Sequence, residues 1–282
     1  MTPKKKLIIP GGSGFLGRTL VKWFEPKGFD VVILSRRLGS IPGARVVEWD
    51  GRNLGPWRAE LDGAKAVINL AGRSVNCRYN QKNRALMLGS RIDSTLIIGR
   101  AIAACRHPPR VWMNSSTATI YRHRYDAPND EIDGLYGAEK EAKDKFSLEV
   151  ANSWEEAFHQ AYQDNDLSGT RGILLRSAMI FGAEPGGVYE ALRNLVKLRL
   201  GGKMGHGRQF VSWQHEDDLC RAIEFLMERE ESEGIYNLCA PNPLTNREMM
   251  AALRRQLGVK LGLPAFKWML EIGAFFMRTE TE

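Results

Sequence analysis

Apolar and polar positions in the first half of the chain fall into two patterns. Short continuous apolar runs recur at Leu7-Ile8-Ile9, Asp30-Val31-Val32-Ile33-Leu34-Ser35, Arg45-Val46-Val47-Glu48-Trp49, Ala66-Val67-Ile68-Asn69-Leu70 and Arg110-Val111-Trp112-Met113-Asn114. Runs of this length without alternation predict strands buried on both faces. Between the first two, Phe15, Leu16, Leu20, Val21 and Phe24 repeat at helical spacing. A longer helix is predicted from Asn83 to Cys105, with Leu86, Ile92, Leu96, Ile97 and Ile102 as its apolar positions. Strands alternating with helices of this length predict an α/β fold, a doubly wound parallel sheet whose functional groups gather at the C-terminal ends of the strands.

The turn between the first strand and the first helix carries the first candidate chemistry. Its glycines satisfy GxxGxxG (Gly11, Gly14, Gly17) and GxGxxG (Gly12, Gly14, Gly17) together. Either spacing supplies a tight turn, close approach of backbone to a pyrophosphate and close packing of helix on strand. The helix N-terminus adds unpaired N–H groups and partial positive charge. Strand, glycines and helix in this order predict a dinucleotide site at Gly11, Gly12, Ser13, Gly14, Phe15, Leu16 and Gly17. Pro10 cannot donate to a sheet ladder, which is tolerable in the last residue of a strand.

The form of the cofactor is read at the end of the second strand. A site for NAD usually places a carboxylate there, against the ribose hydroxyls. Here Ser35 is followed by Arg36 and Arg37. A hydroxyl with a guanidinium fork suits a 2′-phosphate, which a carboxylate would repel, so NADP(H) is expected. Asp50, after the third strand, is placed to accept from the adenine amino group. Asn69, Leu70, Ala71 and Gly72 let the backbone lie along the cofactor, and Arg91 on the long helix is a candidate for a further phosphate. The fifth strand runs into the hydroxyl cluster Ser115-Ser116-Thr117-Ala118-Thr119, followed by Tyr121.

Composition narrows the partners. The 282 residues are 43% hydrophobic, enough to bury a full core, and hold no apolar run of bilayer length, so a soluble protein without a membrane partner is expected. The N-terminal Met1-Thr2-Pro3-Lys4-Lys5-Lys6 has no apolar secretion core. Cys77, Cys105, Cys220 and Cys239 form no CxxC pair and no ligand pattern with the histidines, which predicts free thiols in a reducing cytoplasm. The formal charge of +7 is scattered and no nucleic-acid motif accompanies it, so small anions are the expected partners and nucleic acid is not. His215, Glu216, Asp217 and Asp218 start a helix and point apart. No metal is expected there, and Asp217 or Asp218 is the expected N-cap.

Several of these segments together resemble a family. The glycine turn, Asn69-Leu70-Ala71-Gly72, Thr117 with Tyr121 four positions on, and Arg208-Gln209-Phe210-Val211-Ser212-Trp213-Gln214-His215-Glu216-Asp217-Asp218-Leu219 resemble the extended short-chain dehydrogenase/reductase superfamily. More narrowly, they resemble its atypical, nucleoside-diphosphate-sugar epimerase-like branch, the NAD-dependent epimerase/dehydratase family. Leu175-Arg176-Ser177, Gly201-Gly202-Lys203-Met204-Gly205 and Gly234-Ile235-Tyr236-Asn237-Leu238 fit as well, so the resemblance covers nearly the whole chain. It implies a Rossmann-type core over residues 1–182, completed by 211–239. A smaller, interleaved, substrate-facing part would use 183–210 and 240–282. A sixth strand near Gly172 to Arg176 would lead Met179 and Ile180 past the nicotinamide, with Ser115 also on the cofactor. Arg208 and Gln209 would meet an anionic substrate. The family usually continues beyond the helix begun near Phe266, where Lys267 and Glu271 imply packing on the core and not a membrane anchor. The implied function is hydride transfer on a carbonyl or hydroxyl substrate, nucleotide sugars included. The alternative is an NADP(H)-binding regulatory or sensor protein with a degenerate catalytic motif. Oligomeric state is left open.

Catalysis in the superfamily implies a tyrosine that exchanges a proton with the substrate oxygen, a lysine four residues later, and a Ser or Thr that polarises the substrate. Thr117 matches the last of these. Tyr136 and Lys140 match YxxxK in letters, but Tyr136 lies 37 residues before Ile173, long for one helix and a short loop. Phe146 lies 27 residues before it, where the motif should begin, with Val150 four positions on. On one continuous helix the ten residues from Tyr136 to Phe146 span about 15 Å, which places the tyrosine out of proton-transfer reach, on the loop or helix end above the sheet. Only a break near Lys143 to Lys145 or an insertion at Gln163 to Ser168 would fold it back.

Overall fold

A computed structural model describes residues 5–138 and 145–265. Lys140, and the helix expected from Phe266 with Lys267 and Glu271, lie outside the described residues. The elements, in chain order, are β1 (Lys6–Pro10), α1 (Phe15–Phe24), β2 (Asp30–Ser35), β3 (Ala44–Glu48), β4 (Ala66–Asn69), α2 (Gln81–Ala103), β5 (Val111–Thr117) and α3 (Phe146–Asp164). They continue with β6 (Arg171–Ser177), β7 (Met179–Phe181), α4 (Val188–Lys197), β8 (Phe210–Val211), β9 (Trp213–His215), α5 (Glu216–Glu228), β10 (Gly234–Leu238), β11 (Leu244–Thr245) and α6 (Asn246–Gln256).

Seven strands form one sheet in the order β10-β6-β5-β4-β1-β2-β3, and every pairing in it is parallel. The order reverses between β1 and β4, which opens a crevice at their C-terminal ends where ligands of such sheets bind. Alternate residues of each strand go to opposite faces. Leu7, Ile9, Ile33, Met113, Ile173 and Leu175 pack with Leu20, Phe24, Leu219 and Ile223 of α1 and α5. Ile8, Val32, Leu34, Val67, Trp112 and Leu174 pack with Ile97, Ile98, Phe158 and Ala161 of α2 and α3. This two-sided burial is why the strands read as unbroken apolar runs.

A second, smaller core joins Leu192 and Val196 of α4 to Met249 and Met250 of α6, with Phe181, Val211 and Leu244 against it. Two short pairings, β7 with β9 and β11 with β8, form separate two-stranded sheets. Arg199 takes φ of +61° where α4 ends.

Two local expectations are corrected. The fifth strand continues through the hydroxyl cluster, because Ser115, Ser116 and Thr117 stay in register with Leu175, Arg176 and Ser177 of β6. The N-cap of α5 is His215, whose Nδ1 accepts from the N–H of Asp217 at 3.2 Å; it is neither Asp217 nor Asp218. Those aspartates sit in the first turn, where negative charge favours the helix dipole. Glu216 faces inward and accepts from Thr19 Oγ1 at 2.9 Å and from the Ala183 N–H at 2.8 Å. Finally, α3 begins at Phe146, and Tyr136 lies on the loop before it, one of its two expected placements.

Candidate functional site: a dinucleotide groove

The glycine turn is built by close approach. The Gly11 N–H donates to Leu34 of β2 at 2.8 Å, and the Leu70 N–H donates to Pro10 at 2.9 Å, so the turn joins three strand ends. A Cβ on Gly11 would stand 2.6 Å from the Cα of Ala71, and one on Gly17 would stand 1.9 Å from the carbonyl oxygen of Gly12. Side chains at those positions would separate turn, loop and helix. Gly14 differs: a Cβ there would meet nothing within 4 Å. It is also the N-cap of α1 and carries no side-chain cap, so the first-turn N–H groups at Phe15, Leu16 and Gly17 are left for a ligand. An open glycine at an uncapped helix start fits a pyrophosphate. Arg18 pins the turn by donating to the carbonyls of Ser13 at 2.8 Å and Pro185 at 2.7 Å.

Asn69 is fully buried and sets the next loop. Its Oδ1 accepts from the Ala71 N–H at 3.0 Å, and its Nδ2 donates to Asn114 at 2.7 Å. Ala71 and Gly72 are thereby held beside the glycine turn.

At the end of β2 Ser35 is buried, and its Oγ accepts from the Arg37 N–H at 3.3 Å. Arg36 and Arg37 are exposed, and among the described residues neither side chain makes an ion pair. Asp50 is used by its own loop. Its Oδ1 accepts from the N–H groups of Arg52 at 2.8 Å and Asn53 at 2.9 Å, and its Oδ2 accepts from the Asn53 amide at 2.6 Å. Bonds from Asn53 and Arg52 lower its pKa to about 2. The carboxylate therefore shapes the loop at this end of the groove.

Thr117 ends β5 and caps a short 3₁₀ turn; its Oγ1 accepts from the Thr119 N–H at 3.3 Å. Ser115 beside it is half-buried. Beyond the turn lies a connected polar cluster. Arg176 of β6 and Glu155 of α3, both buried, form a two-pronged ion pair at 2.8 and 2.7 Å. Ser116 donates to the same carboxylate. Arg176 Nη1 donates to Tyr121 at 2.7 Å and to Tyr136 at 2.9 Å, and the two rings stack with centroids 5.4 Å apart. Burial opposes the Arg176 charge, yet the bonds to Glu155, Tyr136 and Tyr121 hold its pKa above the ordinary value. Burial pushes the Tyr121 phenol up, against its bonds from Arg176 and to Asn237, so it stays protonated.

Tyr136 thus folds back onto the sheet end through a loop and not along a helix. Phe146 opens α3 and is buried with Met87 and Val150. At the other wall, Met179 is exposed and Ile180 half-buried on β7. Arg208 is exposed, while Gln209 donates to the Met204 carbonyl at 3.0 Å and keeps a buried Oε1 without a protein partner.

The sequence pattern of the NAD dependent epimerase/dehydratase family matches residues 7–239. The chain belongs to that family. The epimerase family protein SDR39U1 of Bos taurus is 30% identical over 264 residues, covering 93% of this chain and 82% of its own length. The epimerase family protein SERP0438 of Staphylococcus epidermidis is 31% identical over 241 residues, covering 85% of this chain and 76% of its own. The crystal structure of human epimerase family protein SDR39U1 (isoform 2) with NADPH is similar with a TM-score of 0.81 at 27% identity. It covers 98% of this chain and 89% of the human one. UDP-glucuronic acid 4-epimerase from Bacillus cereus shares the fold alone, at 15% identity and a TM-score of 0.74.

Within this family framework, the glycine turn, Ala71–Gly72, Ser35 and Thr117 meet at the C-terminal edge of the sheet, as the sequence implies. The Glu155–Arg176 pair escaped the sequence reading. Its arginine hides at the end of the apolar run Ile173-Leu174-Leu175, and its glutamate follows Trp154 on a helix whose buried face it shares. A charge closing an apolar strand was the available signal.

Proposed function

We propose that this epimerase-family protein binds NADP(H) and acts as an oxidoreductase on a carbonyl or hydroxyl of a small anionic substrate, nucleotide sugars being the first class to assay. The observation that carries the cofactor assignment is the end of β2. Ser35 and the exposed guanidinium groups of Arg36 and Arg37 stand where an NAD site would carry a carboxylate. The NADPH held by human SDR39U1 supports the same choice by similarity. In this reading the glycine turn and the start of α1 hold the pyrophosphate, and Ser115, Met179 and Ile180 border the nicotinamide end. Bound nicotinamide would supply or accept the hydride. Thr117 Oγ1 would polarise the substrate oxygen, and Arg208 with Gln209 would meet its anionic group. Binding of NADPH, followed by NADPH consumption across a panel of nucleotide sugars and simpler carbonyls, tests the proposal. Tight NADPH binding with turnover of one class supports it, and absence of NADPH binding overturns it.

A second reading has its own observation. Phe146 and Val150 are apolar and buried at the start of α3, where YxxxK would place its tyrosine and lysine. Such a lining suits an NADP(H) sensor, and NADPH binding without turnover on any substrate class would favour it. In both readings the basic surplus serves small anions. Oligonucleotide binding should be weak and vanish as salt rises.

A further inference from the structure

A strip of aromatic rings joins the sheet end to the smaller part. Tyr121, His123 and Tyr125 alternate with Arg122 and Arg124 after the short turn that Thr117 caps, and Tyr121 leaves that turn in an extended conformation. Alternation in an extended chain sends the three rings to one side and the two arginines to the other. His123 and Tyr125 accordingly meet edge to face, with ring centroids 4.6 Å apart. The facing ring is Phe210 of β8. Its neighbour Val211 packs into the smaller core, so Phe210 turns the other way, and its ring lies 6.3 Å from that of Tyr125. His206 adds a further ring 6.4 Å from Tyr125. Met179 of β7 donates its N–H at 3.2 Å to the carbonyl of Ser212, two residues past Phe210. The strip therefore runs from the turn after Thr117 to the strand beside Met179.

Its ring faces are bare and its polar edges are spent. Tyr125 is 54% exposed and Phe210 42%. Large apolar side chains left open together in a cleft mark a ligand surface. His123 Nε2 accepts from the Phe210 N–H at 3.3 Å, and His206 Nδ1 accepts from the Arg208 N–H at 3.0 Å. His206 Nε2 lies 3.4 Å from the Tyr125 hydroxyl. Arg124 is held by the Asp126 carboxylate at 2.9 and 2.7 Å. The strip thus offers faces for stacking and few edges for reading a base. Arg208 is exposed, and among the described residues it makes no ion pair. One cation beside open ring faces suits a single carboxylate on a flat apolar body better than the diphosphate of a nucleotide sugar.

We propose that Tyr125 and Phe210 are specificity-determining residues that seat an aromatic ring, so that the substrate class is an aryl aldehyde or ketone bearing one acidic group. This rests on the hydride-transfer reading above: the carbonyl carbon gains the hydride and its oxygen a proton from solvent, giving an alcohol and NADP⁺ from NADPH. The test compares 4-carboxybenzaldehyde with 4-formylcyclohexanecarboxylic acid, which carries the same two groups on a saturated ring, and with UDP-glucose. Ligand-observed NMR titration reads binding, and NADPH consumption reads turnover. The aromatic acid should bind at least about threefold more tightly than its saturated counterpart. Tyr125→Leu and Phe210→Leu keep apolar bulk and lose the ring. Each should weaken the aromatic ligand about three- to tenfold and leave the saturated ligand and NADPH unchanged, while Tyr125→Phe retains binding. Equal affinity of wild type for the flat and saturated acids overturns the proposal, whether or not the leucine variants fold. So does tighter binding of UDP-glucose, or an equal loss for both acids in the variants. A wild type that binds NADPH and not the aromatic acid fails this inference alone; one that does not bind NADPH fails the NADP(H) reading itself.

Discussion

Arg176 donates to the hydroxyl of Tyr136 at 2.9 Å, although 40 residues separate them and Tyr136 is half exposed. The contact explains how a tyrosine outside α3 reaches the sheet end, and it makes Tyr136 the last member of a cluster whose anchor is Glu155–Arg176. Arg176→Met leaves the buried Glu155 carboxylate without its partner and should cost about 3–5 kcal/mol in stability. Tyr136→Phe keeps that pair and should cost about 1 kcal/mol or less, with NADPH affinity and any turnover little changed. Urea melts and kinetics of both variants check this. A collapse of kcat for Tyr136→Phe at unchanged cofactor affinity would instead make Tyr136 the proton-transfer tyrosine.

The glycine turn separates two effects that one motif usually blurs. Gly17→Ala drives a Cβ into the Gly12 carbonyl and should destabilise the fold by about 3 kcal/mol. Gly14→Ala has room for its Cβ, so stability should stay within about 0.5 kcal/mol while NADPH affinity falls, because the methyl enters the space left for the pyrophosphate. Thermal melts with and without NADPH separate the two variants.

Thr117→Val removes a hydroxyl of nearly the same shape from the end of β5. Turnover, once a substrate is found, should fall by about tenfold to a hundredfold through loss of one polarising hydrogen bond, with NADPH affinity unchanged. Steady-state kinetics beside a binding titration distinguish this from a defect in the cofactor site.

Cys220 is fully buried, and burial pushes its thiol up to about 12, so it remains a neutral thiol throughout the physiological range. Cys239 is exposed. Maleimide near neutral pH should label Cys239 in the folded protein and reach Cys220 only on unfolding, which peptide mass mapping reads directly.

Much of this was legible in the chain because it is local. Leu7 to Ile9 and Val31 to Leu34 are continuous apolar runs since helices cover both faces of the sheet, and the glycine turn follows from steric demands within eight residues. What stayed hidden depends on distant partners or on competition for the same cap. Glu155 and Arg176 look like misplaced charges until α3 crosses the sheet and pairs them. His215 and not Asp217 is the N-cap because the helix starts at Glu216, two residues earlier than a cap at Asp217 would set it. Asp50 also serves its own loop, where two N–H groups and the Asn53 amide bond to it, a role set by loop geometry that periodicity does not show. Tyr136 lies on a loop that returns to Tyr121, and a loop of that kind has no signature in periodicity.

Selection of NADP(H) rests on the groove between Gly14 and Arg36. Titrating NADPH and NADH against wild type and Arg36→Asp measures it directly, since the substitution replaces an attractive charge with one that repels a 2′-phosphate. Wild type should prefer NADPH, and Arg36→Asp should lose NADPH affinity by at least about tenfold while NADH binding stays level or improves. Equal losses for the two nucleotides, or a wild type that prefers NADH, would rule out a 2′-phosphate site at Arg36.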